Sequence, residues 1–538
     1  MNNHNESPFG NPRFLISIVA VFLFLWGWQY YISKNYAQPG VVSTQSTDSA
    51  QNVQKSKKAE ETPKTFKQEG TNQATPSNRP LPADEKTFTY EDENVKWQIS
   101  SNGMGLNYYE LKKYFDRNQN PISFSSADKI FGMMVDQAPV QFALTQVAPD
   151  EFTGQAVVAG KNIKRAIKFN KDLMHFESST QFDRGVGNIT YSFSDKKHEV
   201  KNKTFFMPSF ERQDFLFRES GKISTDSISS LKPGEGHTKT AANVTLATIG
   251  TQYFTQALID KSEIAPSASM SVQNSMANMA VNYELKNAQA TEIKQMYFVG
   301  PKLGENLQKI DPILAEVMDY GIFGFIAKPL LMLLKLMHQL LGNWGLAIIG
   351  LTLVVRLIML PFNILSFKSA RAMQKIQPLL QAARDKYKGD PMAVNRETMA
   401  IMKQHKANPL SGCLPMLIQI PVFFALWKAI GSSIEIYQQP FFGWITDLSS
   451  HDRFFVLPVL MGVTMFFQQK LTPTTMDPTQ AKILNFMPII FTLFMLSLPS
   501  GLTLYNFISA LFGVTQQYFL LRDNSKDNSA LKTVEKRR

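Results

Sequence analysis

Cysteine is nearly absent from this chain. Its 538 residues contain one, Cys413, which excludes an internal disulfide framework. The seven histidines form no cluster of metal-ligand spacing, and neither a Walker-type phosphate loop nor an HExxH helix occurs. ATP hydrolysis and metal-dependent proteolysis have no visible apparatus, so no cofactor is expected. Cys413 stands before Leu414-Pro415 at a helix start with no His or Asp placed beside it, and it reads as a small buried hydrophobe rather than a nucleophile. On this reading the chain is not an enzyme. The formal charge is +12, but the basic residues are not gathered into a patch interleaved with stacking aromatics, so nucleic-acid recognition is not indicated.

What the chain does have is apolar sequence, unevenly placed. The mean, 44% hydrophobic and 19% charged, is that of a globular protein, yet stretches of transmembrane character fall at the N-terminus and again after about residue 343. Phe14 to Ile32 is an apolar run ending in Trp26, Trp28, Tyr30 and Tyr31, with bulky aromatics where a cleaved signal peptide has small residues. It reads as a retained signal-anchor (1–34), and Arg13 and Lys34 leave its orientation open. Residues 35–85 are rich in Gln, Ser, Thr, Lys and Pro and read as a disordered linker. From 86 to 320 apolar residues alternate with polar ones, as in Val95, Trp97, Ile99 and Ile189, Tyr191, Phe193, bounded by turns at Arg184-Gly185 and Lys232-Pro233-Gly234. That alternation predicts strands with one buried face and a large β-sandwich.

The C-terminal part reads as helical. Within Ile322 to Leu341, Lys328, Lys335 and His338 lie near one helix face, so 321–343 is expected to be an amphipathic interfacial helix. Trp344 to Phe367 is the second span. Residues 368–413 then carry nine Lys or Arg against three acids, which places that loop in the cytoplasm. In it Met373, Ile376, Leu380, Ala383 and Tyr387 recur at helical spacing, Gly389-Asp390-Pro391 breaks the chain, and a second helical run follows. This is a helical hairpin with one apolar seam, to which Met373, Met392, Met399 and Met402 add deformable surface. Leu414 to Ile434 is the third span, an acidic loop with Glu435, Asp447 and Asp452 follows on the far side, and Phe454 to Gln469 is the fourth. The run from Ile483 to Leu521 is cut into two spans by Pro499-Ser500-Gly501. Six spans return both termini to the cytoplasm, with a basic tail at 523–538.

One residue stands out energetically. Arg356 is the only formally charged residue between Trp344 and Phe367, and a guanidinium at the bilayer centre costs at least roughly 2.5–3.5 kcal/mol. It sits about 18 Å from the start of its run at 1.5 Å per residue, too far to snorkel. Thr352 and Asn363 lie within about 40° of it on a helix and make a polar stripe. Gln419 in the third span, and Asn506, Gly513 and Gln517 in the last, are at compatible spacing, although such groups also serve as plain helix–helix glue, and Thr352 could simply bond its own backbone. Lys428 projects opposite Gln419 near the outer end, where snorkelling accounts for it. The two 16-residue spans from Phe454 and Ile483 cover about 24 Å against a hydrocarbon core of about 30 Å, which thins the bilayer beside the stripe.

Several stretches carry a resemblance: VVRLIMLPF around Arg356, NPLSGCLPMLIQIPVFFALW from Asn408, LPVLMGVTMFFQQKLTPTT from Leu457, and FMPIIFTLF followed by LPSGLTLYN. From about 340 to 522 the chain resembles the YidC/Oxa/Alb insertases, and the anchor plus exported β domain resembles their Gram-negative form. The resemblance implies a polytopic α-helical inner-membrane protein of six spans, five of them forming the core (344–522), with a large periplasmic β-sandwich and a cytoplasmic hairpin. It implies a hydrophilic groove open to cytoplasm and lipid, whose arginine is Arg356, with Thr352, Tyr505 and Asn506 as neighbours. It further implies recruitment of nascent membrane proteins by the hairpin, contact with ribosomes through the basic tail, and work alone or with the Sec translocon. Against this stands a secondary transporter of small anions, since a midplane Arg could bind a carboxylate, but the paired interrupted halves of such transporters are not found here. A β-domain module merely anchored by spans leaves Arg356 unexplained.

Overall fold

The computed structural model describes residues 85–197, 212–228, 237–273, 275–285, 291–318, 320–405, 414–471 and 478–535. The expected signal-anchor, the linker up to residue 84, the Lys232-Pro233-Gly234 turn and Cys413 lie outside the described residues.

The alternating segments form strands, as their period requires. Val95, Trp97 and Ile99 on strand Val95–Ser100, and Ile189, Tyr191 and Phe193 on Ile189–Lys196, are all buried. Three antiparallel sheets result: a four-stranded meander over 87–130, a nine-stranded sheet and a six-stranded sheet. One apolar core draws on all three, with Trp97 and Tyr109 from the first, Phe169 and Tyr297 from the second, and Tyr191 and Met279 from the third. The expected sandwich is therefore joined by a third sheet. Strands also stop at Pro301, before the 320 expected. Two short helices follow, α1 (Gly304–Ile310) and α2 (Pro312–Ala315), and their Leu307 and Leu314 pack on the nine-stranded sheet through Leu246, Ile259 and Phe298.

At the junction of the sheets is a fully buried arginine, Arg165. Its guanidinium donates to the Gly103 carbonyl at 2.5 Å, the Phe131 carbonyl at 3.2 Å and the Tyr297 hydroxyl at 2.8 Å, and it lies 4.9 Å from the Tyr191 ring centroid. Among the described residues it makes no ion pair. Two backbone carbonyls, the hydroxyls of Tyr297 and, at 3.4 Å from Nε, Ser178, and a ring face satisfy the charge instead.

Helix α3 (Gly324–Leu341) ends on Gly342, whose φ of 67° suits glycine and whose N–H donates to the His338 carbonyl. Asn343 then caps α4, its Oδ1 accepting from the Leu346 N–H at 3.1 Å. Helix α4 runs unbroken from Trp344 to Lys386, 43 residues or about 65 Å. The expected boundary between span and hairpin at Phe367 is thus no break in the backbone, because 368–386 is built of good helix formers and Pro378 costs a bond without stopping the helix. Beyond a turn closed by the Asp390 N–H to the Tyr387 carbonyl, α5 (Pro391–Gln404) folds back, capped by Asp390. Met373, Ile376 and Leu380 form the seam against Ile401 and Met402.

Among the described residues the body has four more helices: α6 (Leu414–Gly431), α7 (Val456–Leu471), α8 (Pro478–Met495) and α9 (Ser500–Glu535). The break between α8 and α9 falls at the Pro499-Ser500-Gly501 signal. By length and composition Gly321–Leu341 and Trp344–Lys386 could each cross a membrane, and shorter apolar helices cover 419–431, 456–471 and 485–495. Helices α7 and α8 cross closely at Gly462, where an added Cβ would lie 2.1 Å from Thr492 Oγ1.

Arg165→Met removes the donor to the Phe131 carbonyl and the Tyr297 hydroxyl and leaves the Gly103 carbonyl with the Met133 N–H alone, and is expected to destabilise the β domain by on the order of 3 kcal/mol. Denaturant unfolding of the full chain, followed by the fluorescence change on exposure of buried Trp97, measures it.

Candidate functional site

Three helices converge on a small polar centre inside an otherwise apolar body. Arg356 lies on α4, and its Nε–H donates to Ser509 Oγ on α9 at 2.6 Å. Ser509 is 3% exposed, so this contact is shielded from solvent, while Arg356 itself is half-buried. One turn before Ser509, buried Tyr505 receives the Gln419 Nε2–H of α6 on its hydroxyl at 3.2 Å. Among the described residues Arg356 makes no ion pair. A neutral hydroxyl in a low-dielectric site satisfies one guanidinium N–H and leaves the positive charge uncompensated.

The apolar surroundings give that charge a direction. On one side α4 buries Leu351 and Val355 against Leu502 and Tyr505. On the other, Leu357, Ile358 and Phe362 are 57%, 59% and 50% exposed, a level normal for a lipid-facing surface and unusual for a water-facing one. Arg356 stands at the edge between the two. One end of the body is tied off: the Ser500 N–H donates to the Ser450 carbonyl at 2.6 Å and the Gly501 N–H to the Leu448 carbonyl at 2.8 Å. Asp452 caps the start of α7, accepting from Phe454 N–H at 3.0 Å and Leu457 N–H at 2.7 Å.

Of the residues expected at the site, Arg356, Gln419 and Tyr505 belong to this centre. Thr352 is buried but bonds its own helix, to the Ile348 carbonyl at 2.6 Å, and Asn506 does likewise to the Leu502 carbonyl at 2.8 Å. Asn363 and Gln517 are half-buried, about two turns beyond Arg356 and Ser509 on their own helices. Ser509 was missed. Its signal was available, because Tyr505, Ser509, Gly513 and Gln517 follow one another at four-residue steps. Gly513 continues the line: an added Cβ there would lie 2.5 Å from Gln468 Nε2, so α7 and α9 touch at that point. The hairpin methionines divide, Met373 and Met402 lying in the seam while Met392 and Met399 are 83% and 51% exposed. Lys428 is half-buried on α6, and Glu435 pairs with Lys335 at 2.8 Å.

The chain matches known proteins along both of its described parts. Residues 336–527 match the family described as 60Kd inner membrane protein, and residues 88–333 match the YidC periplasmic domain. The membrane protein insertase YidC of Geotalea daltonii is 33% identical over 459 residues, covering 78% of this chain and 84% of that protein. The chain belongs to the YidC family. Among its relatives, the membrane protein insertase YidC of Campylobacter jejuni is 30% identical over 556 residues, covering 98% of this chain and 99% of its own. That of Cellvibrio japonicus is 45% identical over 237 residues, 44% of this chain and 43% of its own. Within the YidC family this is an inner-membrane protein with a periplasmic domain: the three-sheet region is the periplasmic domain, and the polar centre lies in the membrane body.

Replacing the acceptor tests the centre directly. Ser509→Ala removes a hydrogen bond to a charged group and is expected to cost about 1.5–3 kcal/mol, against about 1 kcal/mol for Tyr505→Phe. Unfolding of the detergent-solubilised protein compares the two, and an equal or smaller loss for Ser509→Ala would contradict the shielded Arg356 contact.

Proposed function

We propose that this protein is a membrane protein insertase and chaperone that inserts and folds inner-membrane proteins, alone or with the Sec translocon. The observation that carries the reading is the Arg356 guanidinium, held by Ser509 at 2.6 Å without an ion pair among the described residues, beside exposed apolar helix surface. A fixed cation with spare donors attracts the acidic extramembrane tail of an incoming segment, and the adjoining apolar faces of α4 pass the segment on to lipid. No bond is made or broken. The driving terms are apolar transfer and, for acidic tails moving outward, the membrane potential at about 2.3 kcal/mol per charge per 100 mV.

The finer arrangement follows the same reading. Six spans, the first at Phe14–Ile32, place both termini and the α4–α5 hairpin in the cytoplasm and α3 on the outer membrane surface. Arg356 and Gln419 face the groove, backed by buried Ser509 and Tyr505, with Asn363, Asn506 and Gln517 along its walls and Thr352 buried behind them. Met392 and Met399 present the exposed apolar surface that first meets a nascent segment. The basic loops and tail engage the ribosome, and lipids flank the exposed faces. Anion transport of this kind goes with paired, similarly interrupted halves, and the sequence carries no such internal repeat.

Purified protein in liposomes, offered a single-span substrate with an acidic N-terminal tail, is expected to protect that tail from protease. No protection above empty liposomes would sink the insertase reading. Arg356→Lys is expected to retain insertion, while Arg356→Ala and Arg356→Glu impair acidic-tailed substrates most. Equal impairment of neutral-tailed substrates would contradict charge attraction. Met392→Ser with Met399→Ser is expected to weaken substrate capture severalfold at unchanged stability, measured by crosslinking to ribosome-bound chains, whereas Met373→Ala in the seam costs about 2–5 kcal/mol.

A further inference from the structure

The short segment 433–438 after α6 belongs to two cores at once. Ile434 is buried in the core of the periplasmic domain, and Ile436, two residues on, is buried in the core of the membrane body. The following residues bind the domain by polar contacts. Tyr437 donates its hydroxyl to the Phe115 carbonyl at 2.8 Å, and the Gln438 amide reaches the Phe115 and Asp116 carbonyls at 2.9 and 3.1 Å. The Tyr437 ring packs on Tyr253 and Phe254, with centroids 4.9 and 5.4 Å away.

Beside this bridge sits a half-buried lysine. Lys335 of α3 places its Nζ 2.8 Å from Glu435 Oε1 and 3.0 Å from Glu305 Oε1 on α1. The other Glu435 oxygen accepts from Ser433 Oγ at 2.7 Å, so this carboxylate, 15% exposed, is fixed on both sides. Glu305 is 74% exposed, and the amine beside it holds its carboxyl below the ordinary range. A partner that exposed contributes little, so Glu435 is the partner that matters. A cavity of about 400 Å³, lined by Lys113, Tyr114, Trp344, Glu435 and Tyr437, opens at the same joint. Apolar packing is therefore incomplete there, and directed polar ties set the angle between domain and body.

From the bridge a continuous path leads to the groove. The Leu448 N–H donates to the Gln439 carbonyl at 2.9 Å, Leu448 and Ser450 accept from the first turn of α9, and α9 carries the serine that holds Arg356. We propose that Lys335 is a positioning residue for the groove. By clasping Glu435 it fastens the interfacial helix, the end of the periplasmic domain and the segment 433–450 into one body, which seats the first turn of α9 and aligns Ser509 with Arg356. The periplasmic domain thus acts as a brace for the end of the groove that is tied off.

The test uses the full chain in liposomes, with Cys413→Ser and Gln439→Cys so that a membrane-impermeant thiol reagent reports the seating of the segment. Lys335→Met is expected to raise the labelling rate roughly tenfold and to lower the maximal insertion rate severalfold, with unchanged half-saturating substrate. Lys335→Arg keeps both near the parent values. Lys335→Glu behaves like Lys335→Met, and adding Glu435→Lys to it restores both readouts to within about twofold. Parent-like labelling and insertion in Lys335→Met, or a reversed pair no better than Lys335→Glu alone, would overturn the proposal. Because these rates are compared with an active parent, failure here leaves the insertase reading standing.

Discussion

A guanidinium enclosed by apolar helices, with a serine hydroxyl as its partner, is the constraint from which the membrane body can be understood. A carboxylate at that position would neutralise Arg356 and lower the cost of enclosing it. A hydroxyl satisfies one N–H and leaves the charge. The remaining cost has to be met by packing around it, and three features supply it: a long α4 that buries Leu351 and Val355, a buried Tyr505 held by Gln419, and a close approach of α7 and α9 at Gly513. Stability is thus spent on keeping a cation available beside surface suited to lipid.

The periplasmic domain encloses a second cation on different terms. Arg165 also lacks an ion pair among the described residues, but two backbone carbonyls, the hydroxyls of Tyr297 and Ser178 and an aromatic face take up its donors and its charge. Satisfied in this way and fully buried, it serves as a joint between three sheets. Arg356, half-buried with one hydrogen bond to a side chain, retains donor capacity. The same side chain is structural in one setting and suited to recognition in the other because of how many acceptors surround it.

Much of this was legible in the chain because the signals were periodic. Period-two alternation gave the strands through Trp97 and Tyr191, and Pro499-Ser500-Gly501 gave the start of α9. A seam at three- and four-residue spacing gave the hairpin, although not the continuity of α4 through Phe367, since a helix without a breaker has no boundary to read. At the site, Arg356 announced itself by charge. Thr352 and Asn506 shared its helical faces yet turned to their own backbones, an option open to any short polar side chain in a helix, and which option wins depends on neighbours the sequence does not order. Ser509 was overlooked because serine in an apolar helix is common and carries no cost that demands a partner.

By itself the sequence determined which segments are apolar enough to leave water, where they are interrupted, and that one of them carries a charge in need of an explanation, because composition and period act locally. The tertiary structure alone decided which residue meets that charge, that Ile434 and Ile436 belong to different cores, and that Lys335 reaches Glu435. These are contacts between residues about 100 or more positions apart, or choices among equally spaced candidates. They are set by how whole helices and sheets pack, and no local pattern encodes that.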